Sequence, residues 1–267
     1  MLRKLIALCL ALLLAGATYA ATVVLIKKSS TYAQDSRNFD GTDDQIVLGC
    51  TDSGSANGEG GDSTYTQCAW VKTPTISTGT HAIYTEGDTA STSSNASLEL
   101  SSTGKVTCTR RTGGTVNNAT GTVDVDDDAW HYVCCVASGT GGGTITPWVD
   151  GTADGAGTSL TAAAATFEHC AAGVLRRSTF ATPTTVDFYG GSIAHIQVWS
   201  VAVAESVIDN SMLTPGCETT SLVHYWPLRG ESPEVDYAPS GAYDSTSIVG
   251  TTVTSAQSAS ITSDCEN

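Results

Sequence analysis

Basic residues are scarce in this chain: 12 Lys and Arg stand against 27 Asp and Glu, for a formal net charge of −15. A surface of that sign repels phosphate backbones, which excludes nucleic acid as a partner. There is no G-x-S-x-G elbow, no H-E-x-x-H helix and no P-loop, so the common hydrolase, metalloprotease and nucleotide-binding signatures are missing. No C-x-x-C pair occurs and the five histidines (His81, His131, His169, His195, His224) are scattered, which argues against a zinc cluster. No repeat of roughly 20 to 50 residues is visible, which disfavours solenoids and propellers. After residue 20 no apolar run approaches the roughly 20 residues that span a bilayer. Lysine is sparse while Thr, Ser, Gly and Ala are abundant, a composition suited to short strands and turns rather than helical bundles.

What is present begins with an export pattern. Arg3 and Lys4 precede an apolar stretch over residues 5–15, and Ala15-Gly16-Ala17 and Thr18-Tyr19-Ala20 offer small-residue cleavage sites. Residues 1–20 therefore read as a signal peptide; losing Arg3 and Lys4 takes the charge from −15 to −17. With Cys9 gone, Cys50, Cys68, Cys108, Cys134, Cys135, Cys170, Cys217 and Cys265 remain, an even set that in an exported chain reads as disulfides. Eight cysteines allow 105 pairings, so the connectivity stays open. Cys134 and Cys135 are adjacent on an expected strand, so their side chains should face opposite ways and take separate partners.

Residues 21–37 read as an N-terminal arm, with an edge strand expected at 22–26. From Asn38 the chain becomes a procession of short strands, at 45–48, 65–72, 81–85, 97–101, 105–111, 130–137, 145–149 and 192–199, separated by turn residues. The polar, glycine-rich stretch 51–63 reads as a loop. Asp150-Gly151 is expected to form a type I′ hairpin turn. Only residues 202–213 look helical, with Val203, Val207 and Ile208 on one face and Pro215-Gly216 as the stop.

Five segments, in order, resemble LamG-like jelly-roll domains of the concanavalin A-like lectin/glucanase superfamily. They are Phe39-Asp40-Gly41-Thr42-Asp43-Asp44-Gln45-Ile46-Val47, then Tyr65-Thr66-Gln67-Cys68-Ala69-Trp70-Val71-Lys72, then Asp128-Ala129-Trp130-His131-Tyr132-Val133. Trp148-Val149-Asp150-Gly151 follows, and Gly190-Gly191-Ser192-Ile193-Ala194-His195-Ile196-Gln197-Val198-Trp199 closes the set, with the helix after it. The resemblance implies an all-β, two-sheet antiparallel jelly-roll sandwich with one short C-terminal-side helix, spanning 38–215. In that fold Phe39, Trp130 and Trp148 would supply core area, and Trp70 and Trp226 would also pack inside. Within 216–267, residues 221–228 resemble a strand that precedes the domain in many relatives. This extension is expected to fold back and complete or cover the sandwich, with Cys217 and Cys265 holding it.

Candidate sites are few. The family's calcium ligands do not carry over residue by residue, because many relatives have acidic residues where this chain has Ala194 and His195. Asp124, Asp126, Asp127 and Asp128 form the densest carboxylate cluster, and calcium favours several carboxylate oxygens; a solvated acidic turn is the simpler account. Glu86 and Asp88, in an expected turn, and Trp199, at the end of the closing strand, are the candidate ligand contacts. Glu234-Val235-Asp236 lacks the following Glu of a strand-borne glycosidase motif, so no catalytic residues are assigned. Two sequons begin at Asn95 and Asn118.

The resemblance implies a secreted, extracellular or cell-surface binding or adhesion module, without catalysis, recognising a glycan or an extracellular protein. A structural subunit of an extracellular assembly (a filament, surface layer or virus particle) is the alternative, its N-terminal arm lending a strand to a neighbour in self-assembly. A glycoside hydrolase comes third.

Overall fold

The computed structural model describes residues 35–49, 64–88, 94–139, 142–163, 165–178, 183–239 and 243–254. The expected signal peptide, the strand at 22–26, the loop at 51–63, Cys50 and Cys265 lie outside these residues.

In chain order the strands are β1 (Ser36–Asp40), β2 (Gln45–Leu48), β3 (Thr64–Lys72), β4 (His81–Gly87), β5 (Asn95–Leu100), β6 (Lys105–Thr112), β7 (Thr115–Asp124), β8 (Trp130–Ser138) and β9 (Thr144–Val149). They continue with β10 (Thr152–Ala153), β11 (Thr158–Ser159), β12 (His169–Ala172), β13 (Leu175–Arg177), β14 (Thr184–Val186) and β15 (Gly190–Trp199). Helix α1 (Glu205–Leu213) follows, then β16 (Leu222–Trp226), β17 (Ser247–Val249) and β18 (Thr252–Thr254). One sheet runs β10-β9-β8-β3-β15-β1-β18, with β11 on β9 and β16 on β15; the other runs β17-β2-β12-β4-β5-β6-β7. The pairings are antiparallel, and β13 and β14 form a separate hairpin. The result is a two-sheet jelly-roll sandwich with one helix among the described residues.

Side-chain alternation builds two apolar layers from the same strands. Tyr65, Ala69 and Val71 of β3 and Val133, Cys135 and Ala137 of β8 point between the sheets, joined there by Phe39, Leu98, Ile193 and Trp226. Cys68, Trp70, Tyr132, Cys134 and Val136 point the other way, under α1. The helix starts at Glu205, with Ala204 still extended, and buries Ile208 and Ser211. Trp70 Nε1 donates to the Met212 carbonyl at 3.3 Å, which ties the helix to β3. Trp130 and Trp148 pack half-buried against this outer layer, not in the inter-sheet core expected for them. Their parity along β8 and β9 decides this: each sits in register with outward-facing neighbours, Trp148 beside Cys134 and Trp130 beside Lys72.

Cys134 and Cys135 do take separate partners. Cys134 bonds Cys68 on the neighbouring strand, beneath α1, while Cys135 bonds Cys108 of β6 across the sandwich. Cys170 and Cys217 are disulfide-bonded as well.

The closing strand β15 alternates imperfectly because a bulge interrupts its pairing with β3 between Ala194 and Gln197. His195, at φ +51°, occupies the bulge, so Ile193 and Ile196 both face the core. The first half of β15 pairs with β1 and the second half with β16. β17 lies beside β2 and β18 beside β1. β1 begins at Ser36, so Ser36 and Arg37 are strand residues and not part of an arm.

Candidate functional site

Among the described residues, α1 covers part of the outer face of the nine-stranded sheet, with Tyr237 and Ala238 packed on the same layer. Strand register sets a row of side chains across that face: Asn38 of β1 pairs with Ser192 of β15, Ser192 with Lys72 of β3, and Lys72 with Trp130 of β8. Strand alternation places all four on one face, opposite to buried Phe39 and Val71. They border a cleft of about 520 Å³, with Ser36, Asp40, Pro74, Asp128, Gly190 and Gly191 among its other walls. Gly191 is required: at φ +136° a Cβ would lie 2.5 Å from the Lys72 carbonyl oxygen.

The polar groups are held in place. Asn38 Nδ2 donates to Ser192 Oγ at 3.2 Å, and Lys72 Nζ lies 3.5 Å from Asp128 Oδ1. The loop carrying Asp128 and Trp130 is pinned from several sides. Asp128 N donates to the Thr73 carbonyl, Asp126 Oδ2 accepts from Ile76 N, and Asp127 Oδ1 accepts from Ala129 N. His131 bridges Asp150 (2.8 Å) and Asp127 (3.2 Å), and Asp150 chiefly raises its pKa above the ordinary histidine value. A half-buried tryptophan face beside fixed donors and acceptors suits a ligand with an apolar face and hydroxyl edges. The cleft volume lies within the usual range for small-molecule sites.

The candidate carboxylates Asp124, Asp126, Asp127 and Asp128 do not converge on one point. Asp124 pairs with Lys105, Asp126 serves Ile76, Asp127 serves Ala129 and His131, and Asp128 pairs with Lys72. The turn splays these carboxylates to separate partners, Asp128 adopting φ +64°. Among the described residues the carboxylates whose oxygens converge are Asp40, Asp43 and Asp44, within 4.8 Å of one another. They already accept backbone amides: Asp40 Oδ1 from Thr42 and Asp43, and Asp44 Oδ2 from Asp40. Those bonds hold the three carboxylates in a turn, and by themselves they supply fewer than the six to eight oxygens calcium takes.

The other sequence candidates lie away from the cleft. Glu86 is buried within β4, not in a turn, and accepts from Gln67 Nε2 and Tyr84 OH, both at 3.1 Å. Asp88 is half-buried beyond β4, its backbone bonded to Ser94 and Ser178. Trp199 is wholly buried under α1, with Nε1 on the Glu218 carbonyl, and is unavailable to a ligand. Glu234 pairs with Arg37 and Asp236 with His224, all inside the protein. Asn38, Lys72, Gly191 and Ser192 carried no ligand expectation from sequence; the only clue was their parity opposite core residues at strand ends.

Family comparison agrees with this architecture. The concanavalin A-like lectin/glucanases superfamily matches residues 28–209, and the chain belongs to it. No curated protein matches the sequence. Among solved structures it is similar to a Bacteroides ovatus protein assigned to carbohydrate binding (TM-score 0.59, 15% identity, 84% of this chain and 60% of that one). It thus spans only 60% of that relative's length. It is also similar to the heptameric SAP-like pentraxin of Limulus polyphemus (0.58, 13%, 86% and 97%). A third is the CBM40 of the Ruminococcus gnavus IT-sialidase, bound to α2,3-sialyllactose (0.52, 13%, 66% and 96%). These likenesses establish the fold.

Proposed function

We propose that this protein is an exported, non-catalytic carbohydrate-binding module whose glycan lies in the Trp130 cleft. The observation that carries the reading is the half-buried Trp130 ring standing in one register row with Lys72, Ser192 and Asn38. A pyranose ring stacks its C–H face on Trp130 while its hydroxyls meet Asn38, Lys72, Asp128 and Ser192. Lectin-like neighbours and disulfides support the reading, the latter because such bonds persist in oxidising, extracellular compartments. No described helix is long and apolar enough to cross a membrane. The absence of catalysis is supported by the fixed structural partners of Glu234 and Asp236.

A printed glycan array and titration calorimetry test this. Trp130→Ala should weaken the wild-type protein's uncharged glycan ligand at least about tenfold while the protein stays folded at the assay temperature, its melting temperature lowered by the lost packing. Equal binding by this variant, or no glycan bound by the wild type, overturns the proposal.

A further inference from the structure

The opposite face of the sandwich holds an arrangement that the cleft does not explain. In this acidic chain Arg37, Lys72 and Lys105 each meet a carboxylate. Arg111 and Arg177 meet none within ion-pair distance among the described residues, and each has a buried Nε without a hydrogen-bond partner. Strand register brings the two together. Gly87 of β4 pairs with Asn95 of β5, and Asn95 with Arg111 of β6, in one row on the outer face of the seven-stranded sheet. The β13–β14 hairpin lies on Gly87 so closely that a Cβ there would stand 3.0 Å from Arg177 Cβ and 2.0 Å from the Arg176 carbonyl oxygen. Arg177 therefore rises two strand spacings, about 10 Å, from Arg111, a span that two arginine side chains easily close. Buried Asn95 lies between them, its Nδ2 on Ser97 Oγ at 2.6 Å.

Their mutual repulsion helps hold Arg177 below the ordinary arginine pKa, after burial as the main cause. Two like charges set together without a counter-ion are unfavourable, and a guanidinium fork is well matched to a carboxylate or sulfate. Glu99 and Asp187 draw on Arg177 electrostatically but neither comes within ion-pair distance, and burial pushes the Glu99 pKa up to about 7, which reduces the negative charge it supplies near neutrality. Beside this row the same face carries a groove of about 380 Å³ lined by Glu99, Thr107, Thr109, Asn118 and Thr120. Such a surface offers hydroxyl, amide and carboxyl partners but no aromatic wall.

We propose that Arg111 and Arg177 form an oxyanion site for an acidic glycan, whose carboxylate or sulfate seats between the guanidinium groups while its hydroxyls follow the threonine groove. The site lies on the other sheet from Trp130, so the two readings fail separately.

The test is an array of uncharged, carboxylate-bearing and sulfate-bearing glycans, read with wild-type protein, Trp130→Ala and Arg111→Gln/Arg177→Gln. Wild type and Trp130→Ala should retain acidic glycans, and the double arginine variant should lose them at least about tenfold while keeping the uncharged ligand. Which acidic subset is retained distinguishes carboxylate from sulfate. In parallel, inorganic sulfate at constant ionic strength should raise the melting temperature of wild type and not of the double variant. Acidic glycans retained equally by the double variant, or bound by neither protein, overturn the proposal. So does a sulfate-induced shift of equal size in both proteins.

Discussion

Arg37 and Glu234, 197 residues apart, form an ion pair in the interior that joins the first strand to the C-terminal segment. Arg37 also donates to the Glu231 carbonyl, and Glu234 Oε1 accepts from Gly230 N at 2.9 Å. Removing one partner leaves the other charge buried and uncompensated. Arg37→Leu should therefore cost about 3–5 kcal/mol in urea denaturation, and Arg37→Leu/Glu234→Leu should recover much of it. Equal losses in the single and double variants would show that the pair itself, rather than an orphaned charge, matters.

The two disulfides defined above should prove separable. Cys68–Cys134 spans 66 residues and binds neighbouring strands; Cys108–Cys135 spans 27 and binds the two sheets together. In chain-entropy terms each stabilises by about 3–4 kcal/mol. Paired Cys→Ala variants measured by denaturation under oxidising conditions should each lose on that order, and peptide mapping without reductant should recover both cross-links.

Stability should fall between about pH 4.5 and 7. Burial pushes the Glu99 pKa up from 4.5 to about 7, so in this window the folded state keeps a proton that the unfolded state has released. The contribution is fully present below the unfolded value and lost as pH rises through the folded one, amounting to about 3 kcal/mol. His131, raised chiefly by its hydrogen bond to Asp150, changes in the same sense as pH rises above the ordinary histidine value. Urea titrations across this range should show the decline, and Glu99→Gln should flatten most of it.

Gly191→Ala should disturb the cleft from beneath. The new Cβ meets the Lys72 backbone at a φ that L-residues rarely adopt, so a loss of about 1–3 kcal/mol is expected. Displacement of Lys72 should also weaken the uncharged glycan, measured by calorimetry, more than it weakens acidic ligands at Arg111.

Much of the architecture was legible in the residues. Val133-Cys134-Cys135-Val136 declared a strand with its two cysteines facing apart, and the turn at Asp150-Gly151 does carry positive φ at both positions. The site was less legible. Asp124 to Asp128 were dense in sequence, yet the turn sends each carboxylate to a different partner. Glu86-Gly87-Asp88 looked like a turn because Gly and Asp favour turns. In the fold Gly87 is a strand residue, and the glycine makes room for the backbone of the β13–β14 hairpin.

By itself the sequence determined where strands such as β3, β8 and β15 form, though not β7 or β12 to β14, and that Cys134 and Cys135 face apart, because these follow from local backbone geometry and a period of two. Which strands become neighbours, and in what register, is set by non-local pairing and by the bulge at His195. Only the tertiary structure therefore decided that Trp130 lines a cleft with Asn38 and Lys72, that Trp199 lies buried, and that Arg111 and Arg177 stand on either side of Asn95.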